Sequence, residues 1–271
     1  MTKIFTLILS VISFLIFGQN TKLSDAEINT KLDSIKQEGN LLYLLENASW
    51  QSSDLKNENR KIKNLAGKYL TYKSNDTIKT VFLDKDESKV IAEYSFLNNS
   101  KKPVAQLFNE RDLKSNELEL KNVREKLIPQ LSDSKYEITV PNGFNINIVT
   151  FPFNDKYKTY LITGASESNV IPFGNDYLFI TDKEGKILEN KKFHSRLIPT
   201  FTSMENGGTV TMSTHSHLKT NPFISATDIC TFKLYAPFTK LSKFSVYSSA
   251  FQTYFQYNMK KDIIEKVKSP N

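Results

Sequence analysis

Short runs of β-branched and aromatic residues, each closed by a turn signal, recur along most of this chain and limit what it can fold into. From Lys68, "KYLTYKSNDTIKTVFLDKDESKVIAEYSFLN" is interrupted at "SND" and "DKDES", which predicts a meander of about three strands. From Tyr136 strands dominate again: "EITV", "FNINIVTF", "KTYLITGA", "DYLFITD", "KILENKKF" and "TVTMSTHSH", with a last pair around "KFSVYSSAFQTYFQYN". "DKEG" between the fourth and fifth of these reads as a hairpin turn, and Gly207–Gly208 frees the chain before the sixth.

Three helices punctuate the strands. Ser24 and Glu27 form a capping box ahead of Ile28, Leu32, Ile35, Leu41 and Leu45, predicting a helix from about 24 to 47. Leu113, Leu118, Leu120, Val123, Leu127 and Leu131 mark a second, broken or ended by Pro129. A third runs from Ser225 to about Tyr235. Strands that connect mainly without helical crossovers, with helices set between them, make the class α+β. No internal repeat or low-complexity tract is present.

The opening "MTKIFTLILSVISFLIFGQN" places Lys3 before an apolar run from Ile4 to Phe17, then Gly18, Gln19 and Asn20. That is the layout of a secretory signal peptide over 1–18, since the run is shorter than the ~17–25 residues a spanning helix needs. No cysteine follows for lipid attachment, so the expected destination is the periplasm or the medium, with no membrane insertion after the signal is removed. Cys230 is the single cysteine, so no internal disulfide forms. The 271 residues, 39% hydrophobic and 12% aromatic, suffice for a packed core. The net charge of +7 is spread among acids, and export argues against nucleic acid as a partner.

Chemistry concentrates in "STHSHLKTNPFISATDICTF". Side chains two apart on a strand point to one face, so His215 and His217 can converge on one ion. The loop "LKTNPFI" can return the chain so that Asp228, in the first turn of the following helix, supplies a third ligand. Zinc at a catalytic site takes three protein ligands and leaves a fourth position for water. Ser225-x-x-Asp228 is also an N-capping pattern, and both readings can hold together, because the helix dipole keeps the carboxylate ionised.

His215-x-His217, seven residues, Ser225, two residues, Asp228 is the full H-x-H-x7-S-x2-D signature, and with it the chain resembles the JAMM (MPN-plus) zinc metalloproteases. The resemblance covers about residues 110 to 271 and implies a mixed-sheet JAMM-like domain at 106–271. An accessory region of helix and β-meander at 19–105 precedes it. It implies His215, His217 and Asp228 as zinc ligands, Ser225 as a hydroxyl that helps stabilise an oxyanion, and a peptide or protein substrate cut at an amide or isopeptide bond. The family also uses an upstream glutamate as general base. The nearest glutamate at suitable distance is Glu167, on the far side of Gly164 from its usual place; Glu184, Glu189 and Glu205 lie closer in sequence. The alternative is a fold-retaining binding module of the cell envelope that lacks the base. The family's proline after the second histidine is replaced by Leu218.

Other candidates read as structural. His194 in "KKFHSRL" stands alone and is expected at the surface or packed, Cys230 points away from the site into the core, and "FGND" is a tight turn. Trp50, near the end of the first helix, anchors packing.

Overall fold

A long helix, a β-meander and a set of smaller sheets pack around one apolar interior in the computed structural model, which describes residues 23–270 except 99, 101, 168 and 204–207. The expected signal peptide and Glu205 lie outside the described residues. Helix α1 (Asp25–Glu58) starts at the expected capping box: the Ser24 hydroxyl accepts from the Glu27 amide, and the Glu27 carboxylate accepts from the Ser24 amide. It runs past the expected end at 47, because polar residues beyond that point find partners without leaving the helix. The Ser49 hydroxyl, for example, donates to the Leu45 carbonyl and meets the Thr71 hydroxyl at 2.8 Å. Trp50 therefore lies within the helix, edge-on to Tyr235.

A short helix α2 (Arg60–Leu65) leads into β1 (Ala66–Ser74), β2 (Thr77–Asp84) and β3 (Lys89–Leu97), the expected antiparallel meander. Two small strands, β4 (Ala105–Leu107) and β5 (Arg111–Asp112), extend it from β3. Helix α3 (Ser115–Leu127) ends two residues before Pro129, where a 3-10 turn takes over. The expected strand at "EITV" does not form. Glu137 adopts a left-handed conformation, and the Thr139 carbonyl instead accepts from the Asn175 side chain.

Next come β6 (Phe144–Phe153), β7 (Lys156–Ala165), β8 (Val170–Gly174), β9 (Tyr177–Thr181), β10 (Ile187–Lys192) and β11 (Leu197–Phe201). Strands β10, β9, β7 and β6 make one antiparallel sheet, with the "DKEG" turn joining β9 to β10 through Gly185 at φ +78°. Among the described residues, strands β8 and β11 pair only with each other, Pro172 opposite Pro199. Proline cannot donate to a ladder, which keeps this ribbon two-stranded.

The C-terminal unit is β12 (Thr214–His217), α4 (Ala226–Tyr235), β13 (Lys243–Ser248), β14 (Thr253–Asn258) and β15 (Ile263–Val267). Here β12 pairs parallel with β13 across α4, while β13, β14 and β15 are antiparallel, so the sheet is mixed. The strand expected over "TVTMSTHSH" is confined to its last four residues. The class is α+β. The main buried cluster draws Ile28, Leu42 and Leu45 from α1, Phe82 and Tyr94 from the meander, and Ile229, Phe232 and Phe244 from the C-terminal unit. It thus takes residues from both sides of the boundary expected near 105. Gly39 lets α1 approach α4: a Cβ there would stand 2.8 Å from the Ile229 Cβ.

Candidate metal centre

His215 and His217 alternate with exposed Thr214 and Ser216 along β12, so strand parity sends both imidazoles inward, as expected. Their backbones are held by the parallel register with Val246 and Ser248. Asp228 arrives from the first turn of α4. The Ser225 hydroxyl accepts from the Asp228 amide at 3.0 Å, and the Asp228 Oδ2 accepts from the Ser225 amide at 2.9 Å. Capping thus fixes the carboxylate that faces the histidines, and the two readings of Ser225-x-x-Asp228 are compatible. Cys230 is buried on the same helix and is no part of the cluster.

The fourth member is His194, which sequence reasoning placed at the surface or in ordinary packing. It lies between β10 and β11, only 4% exposed, and its Nε2 stands 2.7 Å from that of His217 and 3.4 Å from Asp228 Oδ1. His215 Nε2 is 3.2 Å from His217 Nε2 and 3.4 Å from Asp228 Oδ1, and His217 Nε2 is 3.3 Å from Asp228 Oδ2. All three histidines of the chain meet at this point. Atoms bound tetrahedrally at about 2.0–2.1 Å lie about 3.3–3.4 Å from one another; the His215–His217 distance and the two histidine distances to Asp228 Oδ1 are close to that spacing, whereas His194–His217 is shorter and His217 approaches Asp228 through its other oxygen.

His194 is placed by a turn that the sequence shows as "FGND". Gly174, at φ +80°, brings β8 against the returning chain, where a Cβ would collide with the Arg196 carbonyl oxygen. Asn175, also left-handed, donates its amide to that carbonyl at 3.1 Å. The turn delivers Asp176, whose Oδ1 lies 2.7 Å from His194 Nδ1 and whose Oδ2 accepts from the Thr227 hydroxyl. A carboxylate behind an imidazole fixes its tautomer and raises its basicity.

The hydrogen positions follow from the partners. His217 Nδ1 faces the Phe223 carbonyl at 2.5 Å and His194 Nδ1 faces a carboxylate, so both Nδ1 atoms carry hydrogen. In the neutral rings the two Nε2 lone pairs then point at each other, and only a cation between them, a proton or a metal, makes the contact favourable. Asp228 Oδ1, buried among the rings, makes no well-formed hydrogen bond, its nearest neighbours being the Nε2 atoms of His194 and His215 at 3.4 Å. Burial alone would lower the pKa of His194, but the carboxylates of Asp176 and Asp228 outweigh it and lift it to about 9. Burial also works against the Asp228 anion, yet the three imidazoles hold its pKa well below the ordinary value. His215 is pushed down by burial, packed against Phe173 and Phe244. This donor set, with a carboxylate oxygen at its centre that makes no well-formed hydrogen bond, fits a divalent ion.

The other expected site residues part company. Ser225 is buried, and its hydroxyl is committed to the helix cap and to Thr227 at 2.8 Å. Glu167 is exposed in the bend between β7 and β8 and is not among the four converging groups; Glu184 and Glu189 are exposed as well. No family model matches this chain, nor does any curated protein or solved structure.

Proposed function

We propose that this is an exported metal-binding module, with zinc held by His194, His215, His217 and Asp228 at a site of JAMM type that has been closed for binding. The observation that carries the reading is His194, a fourth donor with its own buried carboxylate, standing where a hydrolytic zinc site keeps room for water. Zinc suits three imidazoles and one carboxylate at tetrahedral spacing. Export rests on the leader sequence alone. No helix among the described residues is long and apolar enough to cross a membrane.

The hydrolytic reading draws on the strand–helix–strand placement of the H-x-H and S-x2-D residues. It needs His194 to leave the cluster and a base to take its place. Elemental analysis separates the two when combined with peptidase assays on the chain purified without chelator. The binding module predicts about one zinc per chain and no metal-dependent cleavage of peptide or isopeptide bonds. Cleavage that disappears on chelation would favour the hydrolase, and absence of any bound metal would end both readings.

A further inference from the structure

Beside the metal cluster a cleft of about 210 Å³ opens between the start of α1, strand β7 and the loop that enters α4. Its walls are aromatic: the rings of Tyr160 and Phe193 stack at 6.1 Å and 9°, and Phe223 also lines it. Lys31, Lys158, Lys191 and Glu38 are its charged residues. Glu38 is spoken for, since its Oε1 accepts from Lys158 at 2.6 Å and from the Tyr160 hydroxyl at 2.5 Å. Lys31 and Lys191 have no acidic partner among the described residues, and Lys191 lies 5.0 Å from the centre of the Phe193 ring. Partial burial, and then the charge of Lys31, push the pKa of Lys191 down. Lys191 over the Phe193 ring and Lys31 at the cleft, both exposed and without an acidic partner among the described residues, leave this aromatic wall open to an anion.

We propose that this cleft binds a small carboxylate bearing an aromatic or apolar body, with Lys31 and Lys191 holding the carboxylate and Tyr160, Phe193 and Phe223 flanking the body. A cation-bearing aromatic cleft suits a small carboxylate such as an N-acylated amino acid, which presents the same group as the C-terminal residue of a peptide. The inference rests on the metal reading in one respect. Phe193 precedes His194, the Phe223 carbonyl receives the His217 Nδ1 hydrogen, and Ser225 caps the helix of Asp228, so the cleft borders the residues that position the metal cluster.

The test is calorimetric titration of the zinc-loaded chain with N-acetylphenylalanine and, separately, with its amide. The acid is expected to bind saturably, with the amide at least about tenfold weaker, and Lys31→Gln/Lys191→Gln is expected to lose about tenfold for the acid while retaining its zinc. Absence of saturable binding, equal binding of acid and amide, or an unchanged affinity in the double variant would each overturn the proposal. A chain that carries no metal, yet binds the acid in a lysine-dependent way, would sink the metal reading and leave this one standing.

Discussion

Two of the buried polar clusters among the described residues are built on opposite plans. In the meander, Glu93 and Glu117 are 3% and 0% exposed, yet their carboxylates are met from several sides. Arg111 reaches both Glu117 oxygens at 2.8 Å and Glu93 at 2.7 Å, Lys79 reaches Glu93 at 2.5 Å, and Tyr72 donates to Glu117 at 2.6 Å. That network is complete within the protein. The His194–His215–His217–Asp228 cluster is not: imidazole lone pairs face one another, and a carboxylate oxygen makes no well-formed hydrogen bond. A buried cluster whose charges are all answered is explained by architecture, whereas one whose acceptors converge on a single point has room for a cation there.

The first way to break this contrast is Arg111→Ala, which leaves buried Glu117 without its main partner and Glu93 with Lys79 alone at hydrogen-bond distance. It should cost about 3–5 kcal/mol in chemical denaturation with zinc content unchanged. If Arg111→Ala also empties the metal, the two clusters are not independent. His217→Ala should reverse the pattern, abolishing zinc and removing the stabilisation it supplies. At zinc about a thousandfold above its Kd that is about 4 kcal/mol, or roughly 8–16 °C in Tm. Chelation of the wild-type chain should produce the same shift, and a variant that still holds one zinc would show that His217 is no ligand.

Acid should separate the clusters further. Zinc release is expected on acidification, as protons compete for the imidazoles. Glu93 behaves differently: burial pushes its pKa up, but Lys79 and Arg111 prevail and bring it from 4.5 to about 2. Its folded value lies below its ordinary one, so its contribution is fully present above 4.5 and is lost as pH falls toward about 2. An acid titration followed by both metal content and circular dichroism should therefore show metal leaving well before the meander unfolds. Coincident transitions would contradict the separation. The smallest effect belongs to Glu167→Gln, in an exposed bend, which should leave metal content and stability unchanged within about 0.5 kcal/mol.

The contrast also explains what was legible in the sequence. Helix α4 and its cap, and the inward face shared by His215 and His217, follow from local rules of capping and strand parity. The meander and the α+β class were readable for the same reason. His194 was not, because it lies 23 residues from His217 and its partner Asp176 is 18 residues further back, with no periodicity linking them. The one available signal was scarcity: a chain with three histidines brings all three to one point. Strands β8 and β11 were hidden by Pro172 and Pro199, which argue against strands except in a ribbon such as this. The continuation of α1 past 47 depends on tertiary partners such as Thr71, which no local pattern discloses.

X-ray absorption at the zinc edge of the loaded chain tests the closed site most directly. Four nitrogen or oxygen neighbours at about 2.0–2.1 Å are expected, three of them imidazoles by their outer-shell scattering, with one imidazole lost in His194→Ala. A wild-type spectrum with two imidazoles and bound water, unchanged by His194→Ala, would contradict it.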